Sequence, residues 1–106
     1  MDRKIFLTES AKALSHIDQV LGDLELDELD VDLAGDVLTL DFGDAGTFII
    51  NAHSAAGQVW MAAGTHAWHF DFSVERGEWI AAKTGDELMH TLSRAVGDKL
   101  GRSVEL

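Results

Sequence analysis

From Val37 to Ala81 the apolar residues recur every second position, in short runs separated by turn-forming residues. Alternate side chains of a strand face opposite ways, so these runs build a sheet with one buried and one wet face. Leu38, Leu40 and Phe42 alternate with Val37, Thr39 and Asp41. Phe48 and Ile50 share a face in the run Thr47 to Asn51, as do Val59 and Met61 in the run Gln58 to Ala62, which leaves Gln58, Trp60 and Ala62 on the other side. The run Ala67 to Phe72 turns Trp68, Phe70 and Phe72 inward and His69 and Asp71 outward, and Glu78 to Ala81 is a short sixth strand carrying Trp79. Connections this short require antiparallel pairing. The chain has no proline, so its turns rest on residues such as those of Gly43-Asp44-Ala45-Gly46.

Helical spacing brackets the strands. Leu7, Leu14, Ile17, Leu21 and Leu24 predict one apolar side of a helix beginning near Arg3, with Glu9, Lys12, His16 and Gln19 opposite and Gly22 placed to end it. Thr84-Gly85-Asp86-Glu87 fits a capping box for a second helix, whose stripe is Leu88, Leu92, Ala95 and Val96 and whose end is Gly101. The expectation is one domain over residues 1–106, an α+β two-layer sandwich with both helices on one face of an antiparallel sheet of about six strands.

Acid is concentrated where the first strand begins. Half of the twelve residues from Glu25 to Asp36 are carboxylates, and strand alternation sends Leu29, Val31 and Leu33 one way and Glu28, Asp30 and Asp32 the other. With 8 Lys plus Arg against 19 Asp plus Glu, the net charge is -11. Such a field repels nucleic acid and anionic membrane and attracts metal cations and basic protein surfaces. Same-face neighbours on a strand stand about 6.5–7 Å apart. Ligand oxygens of a small divalent ion lie only about 2.0–2.2 Å from it. One ion therefore keeps most of its water, and the expected sites are weak, multiple and poorly selective. Asp18, Asp23, Glu25, Asp27, Glu28, Asp30 and Asp32 are the candidates, with Asp36 and Asp41 as extensions. An EF-hand is rejected, because Ala34 and Asp41 occupy loop positions 5 and 12 and a strand-like run follows where a helix is required.

There is no cysteine, which removes disulfides, thiolate metal sites and cysteine nucleophiles. No apolar run has membrane-spanning length and no signal-peptide core is present, so a cytoplasmic protein is expected. The serines sit in no nucleophile context and no phosphate-binding glycine motif occurs. Carboxylates on an open edge also lack the burial that suits them to general acid work, so no catalytic residue is expected. Trp60, on a solvent-facing side, is a candidate interface anchor. No pair of histidines has the spacing of a chelate; His69, beside Asp71, is a candidate for a partner surface, and His53, His66 and His90 are given no role.

The element order, the segment NAHSAAGQVWMAAGTHAWHFDF from Asn51 to Phe72 and the later Trp79 resemble the frataxin family, in particular its bacterial members. The resemblance spans nearly the whole chain and is most specific at Asn51, at the strand Gln58 to Ala62, at His69-Phe70 and at Trp79. Two departures stand out: the family's proline between Asn51 and Gln58 is missing, and its paired glycines are here His66 and Ala67. The resemblance implies an accessory protein of iron-sulfur cluster assembly, and the lack of a catalytic constellation in the sequence leads to the expectation that it is not an enzyme. It implies iron, Fe2+ or Fe3+, held weakly on the acidic ridge, and docking on a cysteine desulfurase and scaffold protein, with Trp60, Asn51, Gln58 and His69 in the partner surface. A monomer is expected, with metal-dependent oligomers as the variant state. The competing expectation is an iron store or ferroxidase that acts by assembling around metal, and a third is an acidic interaction domain with no metal role.

Overall fold

The computed structural model describes residues 2–106. Helix α1 (Arg3–Asp23) is followed by strands β1 (Asp30–Ala34), β2 (Val37–Asp41), β3 (Thr47–His53), β4 (Gln58–Ala63), β5 (His66–Ser73) and β6 (Glu78–Ala81), and by helix α2 (Leu88–Leu100). The strands lie in the order of the chain, each antiparallel to the next. This is the expected sandwich. Its inner face carries Leu38, Leu40, Ile50, Val59, Met61 and Phe70, all at most 1% exposed, and the helices seal it with Leu14, Ile17 and Leu21 from α1 and Leu88, Leu92 and Val96 from α2. A side chain of this kind contributes about 1.5–3 kcal/mol when fully buried, so this seal is the main source of stability.

Three local expectations are corrected. On α1 the buried residues are Phe6, Ser10, Leu14, Ile17 and Leu21, while Leu7 and Leu24 are 47% and 43% exposed. Phe6 stands about 100° around the helix from Leu7. It meets the ring of Trp79 edge-on at 5.9 Å, and this aromatic contact decides which side of the first turn faces the sheet. Leu24 lies beyond the last helical residue and no longer follows the helix face.

Gly22 does not end α1. The helix continues to Asp23, and the left-handed position after it is taken by Glu25, with φ 49°, the one non-glycine residue with positive φ among those described. The capping box is likewise absent, because Gly85 has φ 79° and cannot serve as a first helical residue. The cap is Glu87 itself: a bridge to Ile80 holds it extended, and its carboxylate accepts from the amides of Met89 and His90 at 2.8 and 2.9 Å.

After α2 the chain turns at Gly101 (φ 72°) and runs back, and Val104 and Leu106 pack against the core. A Cβ on Gly97 would stand 2.8 Å from the carbonyl oxygen of Arg102, so the returning tail requires glycine inside the helix. Alanine normally stabilises a helix interior by about 1 kcal/mol over glycine. Here Gly97→Ala lowers stability, by about 1–3 kcal/mol as for overpacking, in a denaturant titration. Glu25→Gly has the opposite sign: it relieves the left-handed strain and raises stability by about 0.5–1 kcal/mol. Glu25→Gln, which removes the charge and keeps the backbone problem, gains less.

Candidate functional site

The acidic edge is built by α1 and the edge strand β1. Val31 and Leu33 lean on the core, and the alternation this imposes leaves Asp30 and Asp32 exposed. Glu25, Asp27 and Glu28 are exposed in the segment joining helix to strand, Asp23 is exposed at the end of α1, and Asp18 is half-buried on α1. Antiparallel register sets Asp41 opposite Asp30, two exposed carboxylates across adjacent strands. Such a pair is destabilising and marks an edge whose charge is not arranged for stability. Glu28 differs from its neighbours, since one guanidinium nitrogen of Arg102 reaches both of its oxygens, at 3.0 and 2.8 Å. Among the described residues none of the other six ridge candidates is in an ion pair. No group of three or more His, Asp or Glu among them is arranged to hold a metal ion. The ridge is therefore a dispersed row of carboxylates with no preorganised chelate among the described residues.

The second surface is the outer face of the sheet. Cross-strand register lines up Val37, Asn51, Trp60 and His69 from β2 to β5, and beside them His53 faces Gln58 and Asp71 faces Ile80. Trp60 is stacked on both sides. His53 lies 3.9 Å from it, centroid to centroid, at 18°, and His69 lies 4.3 Å from it at 13°. The indole N–H donates to the Gln58 carbonyl oxygen at 2.8 Å, and the Gln58 amide donates to Asp71 at 3.1 Å. His53 Nδ1 accepts from the Ala56 amide, which ties the ring to the β3–β4 turn. Three stacked rings and an amide-carboxylate chain thus form one connected plate, half-buried at His53, Gln58 and Trp60 and exposed at His69 and Asp71.

Residues 1–102 match the model of the frataxin-like domain. The chain belongs to the frataxin-like family. An iron-sulfur cluster assembly protein CyaY from Thioalkalivibrio sulfidiphilus is 37% identical over 81 residues, 76% of each chain. The frataxin of Psychromonas ingrahamii superposes with a TM-score of 0.88 at 28% identity, covering 99% of this chain and 97% of that one. A trimeric frataxin from the yeast Saccharomyces cerevisiae, complexed with ferrous iron, superposes at 0.77 with 28% identity over 89% and 87% of the two chains.

This frataxin-like chain brings Asn51, Gln58, Trp60 and His69 together on one face, as alternation predicts. Alternation alone gives no role to His53, because it is seven residues from Trp60. The legible signal was the hairpin register, in which His53 pairs with Gln58 and is therefore diagonal to Trp60. Trp79 is buried at 5% exposure and Trp68 is half-buried. No helix among the described residues is long and apolar enough to cross a membrane.

The stacked plate makes a prediction. His53→Ala and His69→Ala each lower stability by about 0.5–1.5 kcal/mol, and each loses that effect in a Trp60→Ala background. A double-mutant cycle by chemical denaturation checks this; additive effects would mean that the rings do not act as a unit.

Proposed function

We propose that the chain is a cytoplasmic accessory protein of iron-sulfur cluster assembly that modulates cluster formation without itself being a catalyst. The ridge docks on a basic surface of a cysteine desulfurase and carries iron loosely as cargo, while the Trp60 plate contacts the scaffold protein or the enzyme's mobile segment. The observation that carries this reading is the placement of a bare carboxylate edge and a rigid aromatic plate on one sheet. Three strand spacings, about 14 Å, separate β1 from β4, so one partner complex spans both. Names of relatives such as the CyaY protein with 37% identity support the pathway. Exposed carboxylates without an enclosing pocket give ferroxidase chemistry no place to bind and orient oxygen.

The test is the rate of cluster formation on a scaffold by a cysteine desulfurase, with and without this protein. Trp60→Ala and a ridge variant carrying Asp27, Asp30 and Asp32 as asparagine each abolish the rate change, and affinity for the desulfurase falls steeply with ionic strength. A salt-insensitive complex, or an unchanged effect of both variants, would remove the docking assignment.

A second reading, iron storage or oxidation by metal-driven assembly, is favoured by the trimeric state of the ferrous-complexed yeast frataxin. It requires particle growth and oxygen uptake when Fe(II) is added in air, and the absence of both disposes of it.

A further inference from the structure

Between α2 and the start of β5 lies a cavity of about 510 Å3, apart from both the acidic ridge and the Trp60 plate. It exists because residues where the helix passes the sheet end are small. Ala63 closes β4 and Ala95 faces the opening from α2, so Phe48 and the half-buried Trp68 are left as aromatic walls. The volume falls in the range of small-molecule sites, about 300–1,000 Å3.

The polar groups around it are mainly basic. Arg94 lines the cavity and has no ion pair among the described residues. Lys99 donates to the carbonyl of Ala45 at 2.8 Å and stands 5.8 Å from the centre of the Phe48 ring, leaving further N–H groups to give. His66 stacks against Trp68 at 5.9 Å and 25°. Asp98 is the one carboxylate in the lining. Thr91, also in the lining, has a buried hydroxyl oxygen with no hydrogen-bond partner. In a chain of net charge -11, a cavity with two Lys/Arg side chains and a single acid is a local reversal of sign.

We propose that this cavity binds a small organic monoanion with a flat apolar body, of the aryl-carboxylate class. The ring lies against Trp68 and Phe48 over Ala63 and Ala95, and the carboxylate takes the guanidinium of Arg94, with Lys99 beside it. One acid against several donors excludes a metal ion as the occupant. The overall negative field penalises polyanions in proportion to their charge, so a monoanion is favoured over a nucleotide or polyphosphate. Asp98 repels the carboxylate from its own side and thereby orients it.

The probe is 3-phenylpropionate, titrated against the intact 15N-labelled protein and followed by NMR, with the neutral 3-phenylpropanamide as its control. The expected result is saturable shifts centred on Ala63, Gly64, Ala95 and the Trp68 indole N–H, with the amide binding about tenfold more weakly for want of the charge-assisted pair. Arg94→Gln, an exposed substitution, reduces the difference between acid and amide to near unity. Ala95→Leu fills the cavity and removes the shifts while the spectrum stays dispersed; should that variant fail to fold, Arg94→Gln decides. Non-saturating shifts, equal binding of acid and amide, or a response centred on Trp60 would overturn the proposal.

Discussion

A meander whose strands alternate apolar and polar residues buries only one face, and the hydrophobic seal over that face is the constraint on which everything else here depends. α1 and α2 supply the seal, and the tail after Gly101 extends it with Val104 and Leu106. Because the core lies on the inner side, the outward-facing positions of the sheet, including Asp30 and Asp32 of the edge strand, carry little packing duty. Charges that destabilise at the edge, such as Asp30 against Asp41, are exposed to water and salt, where each repulsion is small beside the burial of one core side chain. The fold therefore accommodates an acidic row without an internal counter-charge for each member.

The parts legible in the sequence were those governed by period. Two-residue alternation placed Leu38, Leu40, Val59, Met61 and Phe70 inward and Trp60, His69 and Asp71 outward, and the structure agrees. Single-residue backbone choices were not legible. Gly22 looks like a helix end by composition, yet the left-handed position fell on Glu25, because the register between α1 and β1 sets where the chain must turn. Thr84 and Glu87 have the spacing of a capping box, but the bridge from Glu87 to Ile80 binds that residue to the sheet and delays the helix by one turn. Phe6 outranked Leu7 through a contact with Trp79, which lies 73 residues further on. His53 is missed by period for the same reason: its role arises between strands, from the β3–β4 hairpin register. Sequence period reports faces, and only tertiary register reports neighbours.

Arg102 links the acidic ridge to the tail that follows α2. Its guanidinium holds Glu28 on the ridge, and its backbone carbonyl is the atom that makes glycine necessary at Gly97. As an exposed pair it contributes at most about 1 kcal/mol. Its position nevertheless brings one end of the acidic segment against the returning tail. A competitor for Glu28 would have to break this pair, so any coupling between the ridge and the tail through it is bounded by the worth of that pair.

The two candidate surfaces do different physical work, and their separation on the sheet makes sense of both. Dispersed exposed carboxylates act at long range: they speed encounter with a basic surface and lose that effect as salt shortens the screening length, while adding little to residence time. A plate of three stacked rings, two half-buried and one exposed, acts only in contact, but its rings already hold one another, so binding loses less side-chain freedom there. Attraction without a rigid anchor would leave a partner unregistered, and an anchor without attraction would find it slowly. Placing the first on the edge strand and the second three strands inward lets one rigid sheet set the distance between them, which a pair of loops would not hold.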